Sequence, residues 1–370
     1  MRSNRIGPIR PPLCRAKAMY ATPYRSAMDC PVCGKDCVQT ADEIIVSLAD
    51  RFSPCVGCRG RFLDKNTPPP DATIVSPCSC GKRFIDDVFA HIHRIMVEEG
   101  VLQHDSPLIR VGTPLIHPGT VLLHPPYLPP RSLLLLSRTV TKACAQRIIT
   151  EVPETRGVVQ CSDFVPGAAD VDLQKAPRTY ELLAGCDVRA DVFPMSPVPI
   201  VIYKEQSKIH IEFPHARNPK LETVIKRVTY ARPDVFVDAL CGAGTLGIAA
   251  AFMGVKRIIL NDAWYAAVYW TAFNIELNAA NLLISGVNFL EPYAALQEKP
   301  LVQETKKIAE SSGEQQIQVF QGDFRNLQNI VPRDVRVLSA IDLFKKDDPD
   351  ANERILKEWR DRVGGEVFIP

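Results

Sequence analysis

Residues 235–247 read Val235-Phe-Val-Asp238-Ala-Leu-Cys241-Gly242-Ala-Gly244-Thr-Leu-Gly247. An apolar run rich in β-branched residues ends on an acid, and a glycine-rich turn then leads into the apolar stretch 245–254 (TLGIAAAFMG). This is the pattern of a buried strand passing through a tight loop into a helix. A second strand is read at 256–262 (KRIILND), closing on Asp262 twenty residues after Gly242, and a long helix at 263–284. An insertion with a helix at 301–312 (LVQETKKIAESS) follows, then strands at 317–324 and 335–344, a helix at 349–363 and a last strand at 365–370. Alternating strands and helices predict an α/β fold, a Rossmann-like three-layer sandwich with a parallel sheet, over 226–370.

The loop carries the chemistry. Glycine triplets with an acid about 20 residues on also mark nicotinamide-binding folds. There the first glycine closes the strand directly, so that a pyrophosphate reaches the helix N-terminus. Here Asp238-Ala-Leu-Cys241 intervenes, and a carboxylate at that rim repels a pyrophosphate. A phosphate-free, positively charged cofactor is expected instead.

The segment from Asp234 to Pro370 resembles the class I S-adenosylmethionine-dependent methyltransferases, whose first motif has the form D-x-x-x-G-x-G-x-x-G. The resemblance implies that Gly242, Gly244 and Gly247 shape a loop around the methionine moiety. It also implies that Asp238 attracts its ammonium and that Asp262 accepts from the ribose hydroxyls. Asp323 would receive the adenine amine with Phe324 beside the ring. Asp262 as a helix cap, Asp323 as a turn residue and Cys241 as a small filler are the plain alternatives. Members that modify amines of bases carry an acid or Asn, two prolines and an aromatic after the fourth strand. This chain has Ala340-Ile-Asp342-Leu-Phe344-Lys, without the prolines, so the methylated atom stays open; Asp342 is the candidate catalytic residue, orienting or deprotonating the acceptor. The family sheet has seven strands, whereas five are legible here. Trp264, Tyr265, Tyr269, Trp270 and Phe273 on the helix after Asp262 read first as packing, and Asn274 and Asn278 are similar to helices of RNA-modifying methyltransferases.

Seven of the twelve cysteines, Cys30, Cys33, Cys37, Cys55, Cys58, Cys78 and Cys80, fall in one short window. Such density in a chain without secretory features reads as metal binding rather than disulfides. Three closely spaced pairs have knuckle form, and the expected arrangement is structural zinc on Cys30, Cys33, Cys55 and Cys58. Cys78 and Cys80 could replace the second pair, or join Cys37 and one of His91 and His93 in a second site. Metal-free thiols and an iron–sulfur cluster are the competing readings.

Elsewhere the chain is less informative. Residues 1–28 hold six basic side chains and no acid, an expected flexible basic arm; 29–104 read as the zinc-ribbon-like module and 105–225 as a mostly β region that contacts substrate. Within it 198–213 (VPIVIYKEQSKIHIEF) reads as a hairpin. Net charge of +2 gives no global pull toward polyanions. The aliphatic run 133–136 is far short of the roughly 20 residues of a membrane span, and the N-terminus lacks a signal-like apolar core, so no membrane and a cytoplasmic location are expected. The resemblance and the zinc module together imply a methyltransferase with a macromolecular substrate, RNA such as tRNA ahead of protein. A non-catalytic scaffold that uses the module for protein contacts is the rival. Oligomeric state is not legible.

Overall fold

The computed structural model describes residues 29–70, 74–168 and 173–370, so the expected basic arm lies outside the described residues. The first elements are α1 (Ala41–Arg51), β1 (Arg83–Phe84) and α2 (Ile85–Glu98), followed by β2 (Thr113–Ile116), β3 (Tyr127–Leu128) and β4 (Leu133–Ser137). Next come α3 (Lys142–Glu151), β5 (Thr155–Gln160), β6 (Glu181–Gly185), β7 (Val188–Phe193) and β8 (Ile200–Glu205). The carboxyl-terminal part runs α4 (Pro219–Ala231), β9 (Val235–Asp238), α5 (Thr245–Phe252), β10 (Arg257–Asp262), α6 (Tyr265–Leu277), β11 (Ile284–Phe289) and α7 (Tyr293–Glu298). It ends with β12 (Lys306–Gly313), β13 (Gln316–Gln321), β14 (Val337–Ala340), α8 (Pro349–Arg362) and β15 (Glu366–Phe368).

The large sheet has seven strands in the order β11-β12-β13-β10-β9-β14-β15. The five from β13 to β15 are parallel to their neighbours, and the order reverses between β9 and β14, which makes their carboxyl ends the place for a ligand. The sheet buries both faces, so its strands read as nearly continuous apolar runs. Phe236, Ile258, Leu260 and Leu338 pack on the side of α5 and α6, whereas Val235, Val237, Ile259 and Val337 pack with Leu327, Trp359 and Val363 on the side of α8. These two cores on opposite faces are the three layers expected.

Two local expectations are corrected. The stretch 301–312 does not form a helix: β12 pairs antiparallel with β11 and β13 and buries Ile308 and Ala309. Sheet pairing there overrides a sequence with helical composition, and this hairpin supplies the two strands that looked missing. The 198–213 stretch is not a hairpin either. β8 pairs with β7, and after Glu205 the chain turns away, with Lys208 N and Ile209 N donating to the Glu205 carbonyl and Ser207 N to the Asp187 carboxylate.

Among the described residues, the two-stranded β7–β8 sheet leaves one edge of β8 unpaired by any strand. Two amides on α6 complete it. Asn274 exchanges hydrogen bonds with Tyr203 N (2.7 Å) and O (2.8 Å), and Asn278 with Val201 N (3.3 Å) and O (2.7 Å). One helical turn rises about 6 Å over four residues and two strand residues span nearly the same distance, so an i, i+4 pair matches an i, i+2 pair. These asparagines therefore dock the β7–β8 layer.

In the amino-terminal half, β4, α3 and β5 form a parallel unit, flanked by β2 and β6. Its core joins Val88, Ile92 and Met96 of α2 to Leu133, Ile148 and Val158, so residues on both sides of position 104 share one interior.

Candidate functional site

At the carboxyl ends of β9 and β10 the glycine loop adopts backbone angles that favour glycine: φ is 53° at Gly242 and 87° at Gly244. A Cβ on Gly242 would meet nothing within 4 Å, so the loop presents bare backbone to open space there. At Gly247 a Cβ would fall 2.0 Å from Leu260 Cδ2, which is the close approach of α5 to β10. The loop is held from behind by α6, where Thr271 Oγ1 donates to the Gly242 carbonyl (2.9 Å) and Asn274 Nδ2 to the Ala243 carbonyl (2.9 Å). Asn261 ties the strand ends together, its Nδ2 donating to the carbonyls of Ala239 (3.1 Å) and Gly322 (3.0 Å). Neither Thr271 nor Asn261 was singled out from the sequence, because a buried Thr or Asn becomes informative only when a neighbouring loop offers it carbonyls.

Asp262 accepts from Gly242 N at 3.1 Å and from Trp264 N at 2.9 Å. Each oxygen keeps acceptor capacity, so the cap-like bond and a ligand contact are compatible. Burial lifts Asp262 to about 6 against the pull of these amides. Asp238 is fully buried, and the nearby Gly247 amide only partly offsets that burial. Burial pushes it well above the usual carboxylate range, and the Asp342 and Asp262 carboxylates push it further. A buried acid with two more acids acting on it is a place that favours a cation.

The glycine loop and Asp262 border a cleft of about 470 Å³, within the usual range for a cofactor or substrate site, with Asp238 buried outside its lining. Leu240, Gly242, Asp262, Asp323 and Phe324 line one part of it, and Lys204, His210, Glu212, Lys220, Asp342 and Phe344 another. Asp323 caps a 3-10 turn through Arg325 N (3.0 Å) and pairs with the Arg325 guanidinium (3.0 Å), so the turn role is occupied. Phe324 stacks on Trp359 at 6.1 Å between ring centroids. The aromatic residues of α6 are packing residues: Trp264, Tyr265, Trp270 and Phe273 are buried and none of them borders the cleft. Cys241 is a buried filler beside Thr271.

On the far wall Asp342 is held between two ammonium groups, Lys220 Nζ at 2.7 Å and Lys346 Nζ at 2.8 Å. The segment after β8, which was expected to be a strand, delivers Ile209, His210 and Glu212 to the same wall. Burial, with Lys204 as the next cause, holds His210 below the usual imidazole range. Glu212 is raised by burial, yet Lys204 at 3.0 Å more than offsets that and brings it down to about 2. Lys204 in turn faces Asp191, which pairs with Arg189. These wall residues had no motif by which to be found, since they meet only through the turn after β8 and the docking of α4.

Eight of the described cysteines fall into two groups of four, and the expected set of four is not one of them. Cys55, Cys58, Cys78 and Cys80 converge, with Sγ–Sγ separations of 3.6 Å (Cys55–Cys78) and 3.5 Å (Cys58–Cys80). Cys30 and Cys33 instead meet Cys37 and Cys186. Cys186 lies beyond the cysteine-rich window and gave no signal in the sequence. His91 and His93 belong to neither group: His91 Nδ1 sits 3.1 Å from Arg83 Nη1 and His93 Nε2 is 2.8 Å from the Ser106 carbonyl. No helix among the described residues is long and apolar enough to cross a membrane.

No family model and no curated protein matches this chain. Among solved structures it is similar to wild-type Trm5b from Pyrococcus abyssi, with 15% identity and a TM-score of 0.34 over 63% of this chain and 56% of that one. It is also similar to TYW2 of Pyrococcus horikoshii in complex with MeSAdo, with 16% identity and a TM-score of 0.35 over 73% of this chain and 88% of that one. The chain thus spans little more than half the length of the Trm5b chain it matches.

Proposed function

We propose that this chain is an S-adenosylmethionine-dependent methyltransferase with a macromolecular acceptor, RNA ahead of protein. The observation that carries the reading is the bare glycine loop at the sheet's switch point, bordering the cleft together with Asp262 of the next strand and with the buried Asp238 at its base. At the loop end of the cleft Asp262, with Asp238 buried nearby, favours a cationic ligand and disfavours a pyrophosphate, while Lys204, Lys220 and Lys346 border the other part. In this reading Asp238 faces the ammonium of the cofactor, Asp262 accepts from its ribose, the loop amides from Gly242 onward approach its methionine part, and Asp323 with Phe324 borders its adenine. Bound there, the cofactor supplies a methyl group on a sulfonium that needs no further activation. The chain then contributes chiefly position, worth roughly 7–11 kcal/mol in favourable cases.

The acceptor would enter over Phe344, which is 52% exposed and meets His210 edge-on at 6.0 Å. An exposed ring beside lysines suits an unstacked base and its phosphates. Asp342, held in place by Lys220 and Lys346, orients the acceptor; His210, the imidazole on this wall, is placed to take a proton from it. We further assign structural zinc to Cys55, Cys58, Cys78 and Cys80. Four thiolates leave no open coordination position, and the Cys55 amide donates to Cys58 Sγ (3.4 Å), an amide–sulfur bond of the kind that steadies a metal thiolate.

Calorimetry with S-adenosylmethionine, paired with transfer of labelled methyl from it to total cellular RNA and protein, tests the reading. Binding that Asp262→Ala abolishes, with label removed by nuclease and not by protease, is the expected result. Absence of binding to the wild-type chain would overturn the enzyme reading, and label removed by protease alone would overturn the RNA acceptor.

A further inference from the structure

The thiols of Cys30, Cys33, Cys37 and Cys186 all lie within 4.8 Å of one another, although Cys186 is 149 residues from Cys37 in sequence. We propose that they hold a second, structural zinc ion that fastens the amino-terminal knuckle to the β7–β8 layer. This assignment is independent of the methyltransferase reading.

The distances select a single tetrahedral ion. A zinc–thiolate bond of about 2.3 Å gives a tetrahedron with edges of about 3.8 Å. The observed Sγ–Sγ separations are 3.8 Å (Cys30–Cys186), 3.5 Å (Cys37–Cys186) and 3.3 Å (Cys33–Cys37). A disulfide needs about 2.05 Å between sulfurs, so no pair here is bonded. Ligands of a four-iron cluster each bind a different iron and stand further apart than four sulfurs sharing one centre, so the convergence also disfavours a cluster. Four thiolates leave no vacant position, and three of them are almost wholly buried: Cys30, Cys37 and Cys186. The site is therefore closed and architectural.

The surroundings are built for it. The 30–35 turn brings its first two cysteines together, with Gly34 N donating to the Cys30 carbonyl (2.8 Å) and Cys30 N to the Lys35 carbonyl (3.0 Å); Gly34 has φ of 64°. Four thiolates on a divalent ion carry two net negative charges, and two guanidinium groups stand by. Arg156 donates to the Cys37 carbonyl (2.5 Å) and to that of Val188 (2.8 Å), while Arg131 pairs with Asp36 (3.1 Å). Immediately after Cys37, Gln39 N donates to Tyr203 Oη (3.0 Å), and Ala41 and Ile44 of α1 enter the core shared with β8 and α6. The ion thus anchors one side of the strand whose other side is held by Asn274, the residue that also holds the glycine loop.

Metal analysis of the full chain, purified under reducing conditions, tests the assignment by elemental analysis and native mass spectrometry. Two zinc ions per chain are expected, falling to one in Cys186→Ser, to one in Cys80→Ser and to none in the double variant. A wild-type chain with one zinc, iron in place of zinc, or an unchanged zinc count in Cys186→Ser would overturn it. If Cys186→Ser does not fold, cobalt replacement in the wild-type chain decides. Tetrathiolate cobalt absorption that grows to two equivalents supports the second site, and saturation at one equivalent refutes it.

Discussion

Replacing Asn274 by alanine should damage both the fold and the cofactor site, whereas replacing Asn278 should damage the fold alone. Asn274 is completely buried and makes three hydrogen bonds with main-chain groups: Tyr203 N and O on the free edge of β8, and the Ala243 carbonyl in the glycine loop. Alanine leaves all three without a partner in a dry interior. At about 1–3 kcal/mol for each orphaned group, with partial relaxation, the loss is about 3–6 kcal/mol, a large part of the stability of a typical domain. Asn278 also makes three, to Val201 N and O and to the Asn274 carbonyl, but none reaches the loop. Both variants should therefore lower the urea midpoint by comparable amounts and raise amide exchange at 201 and 203. Only Asn274→Ala should weaken S-adenosylmethionine binding in calorimetry, by about tenfold for each 1.4 kcal/mol of loop ordering that must then be supplied on binding. A wild-type midpoint for Asn274→Ala, or equal loss of affinity in both variants, would refute this account of the docked edge.

Asp262 predicts a pH dependence of cofactor binding. Its native pKa is raised to about 6, so below that pH the proton must leave before the carboxylate can accept from a ribose. Affinity should rise with pH through about 6 and then level off, and calorimetry in buffers of different ionisation enthalpy should show proton release at about pH 5.5 that Asp262→Asn removes. A flat affinity across that range would sink the assignment. The same raised value means that native stability contributed by the protonated form is present below the unfolded value and lost as pH rises through about 6. Gly247→Ala should cost about 1–3 kcal/mol by driving a methyl into Leu260, and Leu260→Ala in the same chain should recover part of the overpacking cost; a neutral single variant would contradict the packing. Lys220→Met should leave cofactor affinity unchanged, lower acceptor turnover and reduce the salt slope of RNA binding by about one, and a changed cofactor affinity would place Lys220 in the wrong part of the cleft.

What could be read from the sequence was what short-range pattern encodes. The strand, turn and helix around Asp238 follow from a buried apolar run and three glycines, and Gly242, Gly244 and Gly247 each have a local reason to lack a side chain. What could not be read depends on chain segments meeting. The stretch 301–312 has helical composition, yet its residues become β12 because β13 offers an edge and the α6 side offers burial for Ile308 and Ala309. The knuckle cysteines announced metal, but nothing local states that Cys30 pairs across to Cys186 rather than to Cys55. The far wall of the cleft was illegible for the same reason.

β8 explains why these unread features belong together. Its amino-acid sequence, Ile200-Val-Ile-Tyr-Lys-Glu205, is buried along its whole length, which is unusual for a strand with only one strand partner. It can be buried because α6 completes its hydrogen bonds through Asn274 and Asn278, α1 covers it through Ala41 and Ile44, and β7 pairs with it. A strand fixed in this way can carry Lys204 in a buried position facing Asp191 and Glu212, and can release the chain at Glu205 in a defined direction. The direction of that release sets where His210 and Glu212 stand relative to the glycine loop. Because Asn274 bonds to β8 and to Ala243 at once, it ties the strand that leads into one wall of the cleft to the loop that forms the other.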